Sequence, residues 1–326
     1  MKVLIFSFHF FQTELMISDS LQLVLGLTVL IIGGDLLVRG STAIAEKYNI
    51  SKLIIGLTIV SFGTSAPELL VSFQAAFKNV PEIAIGNVIG SNIANIGLVL
   101  ALTLMIFPLI VARNTIRFDW PMLFLVSILC YLFSLDLTIS SLEGFILFLS
   151  LIGYLLFLFK NNRKNKNQDS TSNIQKTINV PIKIGFVIFG LISLFFGSEW
   201  FVSSASSIAS YLGVSNHIIA ITVVAIGTSV PELVTSIVAA FKREADISIG
   251  NLVGSNIFNI CSVLGLTSII KPIKVAENVI HWDMIWMLGI AIILLPMMLL
   301  RNKINRISGA LLLIIYCLYI GSVFVH

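Results

Sequence analysis

One segment of this chain is written twice, and that duplication limits its folds more than anything else in the sequence. Residues 51–97 align without a gap to residues 215–261, an offset of about 164, and about 26 of the 47 pairs are identical. The clearest stretches are GLTIVSFGTSAPELL (Gly56–Leu70) against AITVVAIGTSVPELV (Ala220–Val234), and GNVIGSNIANI (Gly86–Ile96) against GNLVGSNIFNI (Gly250–Ile260). The same offset pairs Asp35 with Glu199 and Asp119 with Asp283. Two related structural units follow from this, and the surroundings of each copy decide how they sit.

Those surroundings are apolar. Of the 326 residues, 57% are hydrophobic and 11% charged, whereas a soluble domain carries about 25% charged residues. That scarcity excludes an ordinary water-soluble enzyme, a disordered chain and a nucleic-acid-binding domain. Cys130, Cys261 and Cys317 sit in apolar runs without metal-ligand spacing and behave as small hydrophobes. A membrane span needs about 20 apolar residues. Ten segments qualify: 21–45, 52–77, 83–107, 120–136, 142–159, 182–209, 214–241, 247–270, 283–300 and 307–325. Residues 1–20 are an N-terminal segment or the start of the first span, and they lack a small-residue cleavage site.

The hydrophilic residues 160–181 divide the spans into a five-helix unit over 21–159 and a second over 182–326. Five is odd, so the second unit must enter the membrane upside down. The expected fold is an all-α membrane protein of about ten transmembrane helices built as two inverted five-helix repeats, an arrangement that recurs in secondary transporters. Alternate connections carry Lys47 and Lys52, Arg113 and Arg117, the central cluster, Lys242 and Arg243, and Arg301, Lys303 and Arg306. By the positive-inside rule the central loop is a cytoplasmic linker and both termini lie outside the cell membrane. The net charge of +4 thus reports topology.

Glu68 and Glu232 fall mid-span, one in each copy, where an ionised carboxylate needs a partner. Related by a two-fold axis in the membrane plane, they suit a divalent cation; the plain alternative is that each is protonated or paired for structure. Pro67 and Pro231 precede them and free the carbonyls of Gly63 and Gly227, which a metal ion or cavity water could take. Thr64 lies one helical turn from Glu68, and Thr228 from Glu232, with Ser65 and Ser229 alongside. Asn87, Ser91 and Asn95 form a second stripe, matched by Asn251, Ser255 and Asn259. These groups make an oxygen-only inventory of the kind that holds Ca²⁺ with six to eight ligands. Some hydroxyls will only bond back to their own helix. Gly86/Gly90 and Gly250/Gly254 have the spacing of close helix packing.

GTSAPE with GNVIGSNIAN in one half, and GTSVPE with GNLVGSNIFN in the other, resemble the two α-repeats of the cation/Ca²⁺ exchanger superfamily, specifically its prokaryotic sodium/calcium exchanger type. The resemblance covers nearly the whole chain. It implies that Glu68 and Glu232 are the principal Ca²⁺ ligands and that Thr64, Ser65, Thr228, Ser229, Ser91, Asn95 and Ser255 complete the Ca²⁺ and Na⁺ sites. It also implies that the carbonyls of Ser61 and Ala225 serve flanking Na⁺ sites. One departure stands out: several relatives carry aspartate where this chain has Asn259. The site therefore has two acidic side chains instead of three.

The expected function is an antiporter that exports Ca²⁺ in exchange for Na⁺ by alternating access. Two glutamates balance one Ca²⁺, and the three-to-one exchange implied by the resemblance would move net charge. The alternatives are an H⁺/Ca²⁺ exchanger using the same glutamates, and a cation channel. An enzyme is not expected, because no nucleophile–base pair or zinc motif stands beside the glutamates. Ca²⁺ and Na⁺ are cargo, the bilayer is the only other partner implied, and no cofactor is.

Overall fold

A hydrocarbon layer offers backbone N–H and C=O groups no partner, so a chain this apolar has to close its hydrogen bonds within helices. The computed structural model describes residues 2–78, 82–165, 179–214, 225–300 and 303–323, and helices dominate it. They are α1 (Lys2–Tyr48), α2 (Lys52–Thr64), α3 (Ala66–Phe77), α4 (Ile83–Ile106), α5 (Thr115–Phe133) and α6 (Ser141–Asn165) in the first half. The second half has α7 (Val180–Tyr211), α8 (Ala225–Thr228), α9 (Val230–Phe241), α10 (Ala245–Ile270), α11 (Val279–Leu299) and α12 (Arg306–Val323).

Eight of these helices are long and apolar enough to cross a bilayer alone, and α2 with α3 makes a ninth span bent by 43°. The seventh expected span, 214–241, begins in residues 215–224, which lie outside the described residues. Its described part, α8 and α9, repeats the broken form of α2 and α3. The architecture is two five-helix units of opposite orientation. Residues 2–20 continue into the first span as one helix.

Burial sorts the helices. In α4 and α10 the most apolar windows are 72% and 83% buried, against 22% in α7 and in α12. The two helices of the GNxxGSNI motif therefore form the centre. Leu21, Val24 and Ile31 of α1, and Leu311, Ile314 and Leu318 of α12, face outward and suit lipid.

Two pairs of short strands clip the halves together. β1 (Leu109–Ile110) pairs antiparallel with β4 (Lys303–Ile304), and β2 (Thr138–Ile139) with β3 (Ile273–Lys274). One span, α5, separates β1 from β2, so the clips lie at opposite faces of the bundle. The offset between the repeats carries β1 onto β3 and β2 to within one residue of β4.

α1 and α7, the first helix of each unit, pack backbone to backbone along a seam of glycines. A Cβ on Gly33 would stand 2.9 Å from the Gly190 carbonyl oxygen, and one on Gly190 would stand 2.7 Å from Leu37 N. At the centre, a Cβ on Gly250 would meet the carbonyl oxygen of Leu53 at 2.7 Å, which seats α10 directly on α2. This is the close packing expected for Gly250 and Gly254.

Several boundaries differ from expectation. The fourth span was expected at 120–136 and the ninth at 283–300, but α5 starts at Thr115 and α11 at Val279. Each opens with a π-helical turn, Thr115–Asp119 and Val279–Asp283. That turn ends on an aspartate held by a tyrosine: Tyr154 OH donates to Asp119 at 2.7 Å, and Tyr319 OH to Asp283 at 2.9 Å. A tyrosine partner lets a carboxylate sit at the edge of an apolar core, which the sequence pattern alone does not reveal. α6 runs to Asn165, into the segment read as linker, and residues 166–178 of that segment lie outside the described residues. The three cysteines are unbonded thiols, Cys130 and Cys261 buried and Cys317 exposed.

Candidate functional site

The site begins at a break in a helix. α2 ends at Thr64 and α3 starts at Ala66, with Pro67 in its first turn; α8 ends at Thr228 and α9 starts at Val230, with Pro231 in its first turn. The residue between has the same backbone in each copy, φ −85° and ψ 5° at Ser65, φ −88° and ψ 4° at Ser229. Proline has no N–H for the helix ladder and crowds the carbonyl four residues back, so the helix stops and restarts. Of the carbonyls this frees, that of Gly227 accepts a hydrogen bond from Ser198 Oγ at 2.9 Å. A hydroxyl from α7 fills the role expected of an ion or a water there.

The restart places Glu68 and Glu232 in the first turns of α3 and α9, where unpaired N–H groups favour negative charge. Both are fully buried. Ser65 Oγ donates to Glu232 Oε1 at 3.3 Å, bringing the first break against the second glutamate. Thr64 Oγ1 donates to Asn251 Oδ1 at 3.0 Å and lies 3.3 Å from Ser255 Oγ, so the first break also meets α10. Across the axis, Ser91 Oγ of α4 lies 3.4 Å from Thr228 Oγ1. Residues of the first copy thus meet those of the second at Glu232 and again between α4 and α8. Asn95 and Asn259 each open a π-helical turn, Asn95–Leu100 and Asn259–Leu264, a local widening frequent at functional sites.

Buried polar atoms are nearly always paired, and exceptions call for a reason. Six oxygens of the expected site residues are buried without a hydrogen-bond partner: Glu68 Oε1 and Oε2, Glu232 Oε2, Asn95 Oδ1, Asn259 Oδ1 and Ser229 Oγ. Two carboxylates and neutral oxygens in this state form a donor set for hard cations, which take oxygen ligands in numbers of six or more. Among the described residues no cluster of three or more His, Cys, Asp or Glu exists, so the donor chemistry rests on these two acids.

Other expected residues are engaged differently. Ser61 Oγ, with one proton to give, lies 2.7, 3.2 and 3.0 Å from the Gly56, Gly250 and Asn251 carbonyl oxygens, and its own carbonyl already accepts from Ser65 N at 3.0 Å with Thr64 Oγ1 3.3 Å away. Ala225 is the first residue of α8. Asn87 and Asn251, part of the expected polar stripes, spend their amides on Ser72 Oγ and Ser236 Oγ, holding α4 to α3 and α10 to α9. Asn92 and Asn256, which lie off those stripes, were missed. Each donates its amide to the other's backbone carbonyl, at 3.2 and 3.3 Å, directly across the pseudo-two-fold axis. Their recurrence inside the GSNI motif of both copies is the sequence signal that could have found them.

The surroundings break the symmetry. Asp35 of α1 is held by Arg39 Nε at 2.7 Å, one helical turn on, and also by Lys242 Nζ at 2.6 Å at the end of α9. α1 packs onto α9 there, with Val234 Cγ1 3.1 Å from where a Gly34 Cβ would stand. The repeat mates of Asp35 and Lys242 are Glu199 and Lys78, and neither makes an ion pair among the described residues. Between α3 and α7 a cavity of about 230 Å³ opens instead, lined by Pro67, Gln74, Ser198, Glu199, Gly227 and Thr228.

The sequence matches the family described as sodium/calcium exchanger protein over residues 20–160 and 182–325. It is 38% identical to the putative antiporter CaxA of Alkalimonas amylolytica, over 93% of this chain and 98% of that protein. It is 32% identical to the sodium/calcium exchanger MaX1 of Methanosarcina acetivorans, again over 93% and 98%. The fold superposes on the sodium-calcium exchanger NCX_Mj soaked with 2.5 mM Na⁺ and 0.1 mM Ca²⁺, with a TM-score of 0.81 and 36% identity, covering 94% of this chain and 98% of that one.

Proposed function

The chain belongs to the sodium/calcium exchanger family, and from that premise we propose that it exchanges Na⁺ for Ca²⁺ across the cell membrane by alternating access, extruding Ca²⁺ electrogenically. The observation that carries this is the set of six buried, unpartnered oxygens drawn from both repeats, three of them carboxylate oxygens. Glu68 and Glu232 are the charged ligands. Thr64, Ser65, Ser91, Asn95, Thr228, Ser229, Ser255 and Asn259 supply neutral oxygen, and the Ser61 and Ala225 carbonyls flank them. Ca²⁺ brings two charges to two carboxylates. Three Na⁺ on the same oxygens bring one more, so exchange carries net charge, and competition for shared oxygens couples the ions.

Alternating access is supported by the asymmetry around a nearly symmetric site. At the Lys242 end, α1 closes on α9; at the Lys78 end, α7 stands off α3 and a cavity reaches Thr228. In an inverted repeat those ends lie on opposite sides of the membrane, and exchanging the conformations of the halves exchanges which side is open. With the Lys242 end cytoplasmic by the positive-inside rule, this state faces outward.

Two measurements test the proposal. In proteoliposomes with clamped pH, an outward Na⁺ gradient is expected to drive Ca²⁺ uptake, and an imposed membrane potential to change its rate. Uptake that follows only a proton gradient, or flux needing no counter-ion, would replace the sodium reading with proton exchange or a channel. The closure at Lys242 is tested by maleimide labelling of Val234→Cys in a Cys317→Ser background. Both partners of the Lys242–Asp35 pair are about 30% exposed, so its loss is worth about 1 kcal/mol. Lys242→Gln is expected to speed labelling from the Lys242 face roughly fivefold, a factor matching that energy; unchanged labelling would remove the pair from the closure.

A further inference from the structure

At the centre of the molecule α4 and α10 cross at Asn92 and Asn256, and the hydrogen bonds there can be counted against two-fold symmetry. The reciprocal pair between amides and backbone carbonyls is present in both directions. A second pair is available. Asn256 Oδ1 accepts from Asn95 Nδ2 at 3.0 Å. The mirror of that bond would run from Asn259 Nδ2 to Asn92 Oδ1, and both of those atoms are buried with no partner. Three of the four bonds that strict symmetry would allow are therefore made, and the fourth is missing.

A side-chain amide is planar, so fixing its nitrogen fixes where its oxygen points. With Nδ2 committed to Asn256, Asn95 Oδ1 is turned the other way, buried and free to meet a cation. Asn259 has no such anchor, because neither atom of its amide is engaged. All four asparagines are essentially fully buried. Among the described residues the Asn92 amide has one further, long hydrogen bond, to Met287 Sδ at 3.9 Å.

We propose that Asn256 and Asn92 are positioning residues that act in turn: Asn256 orients the Asn95 amide for ion binding in the state described here, and Asn92 orients Asn259 in the oppositely facing state. This rests on Asn95 and Asn259 being ion ligands. The reciprocal carbonyl bonds persist in both states as the pivot, while the Asn95–Asn256 bond is exchanged for its mirror when the halves exchange conformations. Each face of the membrane is thereby served by a different positioning asparagine.

The test is Na⁺-driven Ca²⁺ exchange by the full-length protein in oriented proteoliposomes, with the Ca²⁺ KM read at each face. Residues that hydrogen-bond a metal ligand and fix its orientation are worth 10–100-fold in affinity. Asn256→Ala is expected to raise KM about tenfold at the Lys78 face and by under about twofold at the Lys242 face. Asn92→Ala is expected to give the reverse pattern. Asn256→Asp gives up the donor to the Asn92 carbonyl, as alanine does, but keeps the oxygen that accepts from Asn95, and should restore the KM at the Lys78 face to within about threefold of the parent. Equal effects of each alanine variant at both faces, or no rescue by Asn256→Asp, would overturn the inference. Asn92→Ala and Asn256→Asp keep it testable if Asn256→Ala does not fold. Asn95→Ala separates the two levels of the argument. If it leaves KM unchanged at both faces, the ligand assignment fails; if it raises KM while the Asn256 and Asn92 variants do not, the positioning role alone fails.

Discussion

Glu68→Gln and Glu232→Gln are each expected to abolish Na⁺-driven Ca²⁺ uptake while leaving a folded protein in the membrane. Glutamine keeps the shape of the side chain and removes its charge, so packing in a fully buried position is preserved. Ca²⁺ then meets one carboxylate where it needs two. Removing one partner of a buried charge interaction costs about 3 kcal/mol or more, which is roughly a hundredfold in affinity. The apo protein should respond in the opposite sense. Both oxygens of Glu68 lack a hydrogen-bond partner, and a buried carboxylate left unpaired is unfavourable. The glutamine variant should therefore melt no lower than the parent without Ca²⁺, yet lose the rise in Tm that saturating Ca²⁺ gives a protein that binds it. Transport and melting together separate a lost ligand from a lost fold. Uptake at the parent rate in either variant would end the claim that these carboxylates hold the ion.

Gly250→Ala is expected to destabilise the whole molecule, an outcome far out of proportion to one methyl group. Its Cβ would stand 2.7 Å from the Leu53 carbonyl oxygen, 3.0 Å from Leu57 N and 3.1 Å from the Gly56 Cα. All three are backbone atoms, so no rotamer change can make room and α10 must move off α2. Overpacking of this kind costs about 3 kcal/mol, and the displaced surface also carries Ser61, which bonds the Gly250 and Asn251 carbonyls. The measurement is the melting temperature in detergent, with Gly289→Ala as the reference. Nothing among the described residues lies within 4 Å of a Cβ there, and that change should stay within about 0.5 kcal/mol of the parent. Equal melting of the two variants would mean that α2 and α10 are not seated as described.

Most of the architecture could be read from the sequence because it rests on one-dimensional signals: apolar runs of spanning length, and one segment repeated at a constant offset. The meetings of Ser65 with Glu232, Thr64 with Ser255 and Thr228 with Ser91 join residues of the duplicated segment, which is why those residues could be picked out in the sequence. What escaped the sequence has a physical cause in each case. Ser198 caps the Gly227 carbonyl from outside the duplicated segment, and its repeat mate is Gly34, which has no hydroxyl to flag the role. Asn92 and Asn256 lie off the polar stripes of their own helices because each faces its own copy across the axis. The ion pair of Asp35 with Lys242 could not be read at all. Both members have counterparts, Glu199 and Lys78, and a sequence symmetric in this respect does not say which copy is closed.

The two strand clips also set an order of events during synthesis. Leu109 pairs with Ile304, about 195 positions later in the chain, and contacts of such long separation form late, because the loop between them must first be ordered. β4 lies between α11 and α12, so one face of the bundle cannot be pinned until nine spans are in the membrane. Until then the edge of β1 stays unpaired, and until the eighth span, α10, arrives, the central helix α4 of the first unit lacks the face it crosses. The proposed ion site, which needs α10, is therefore among the later parts of the molecule to come into existence, assembled only once most of the chain has been made.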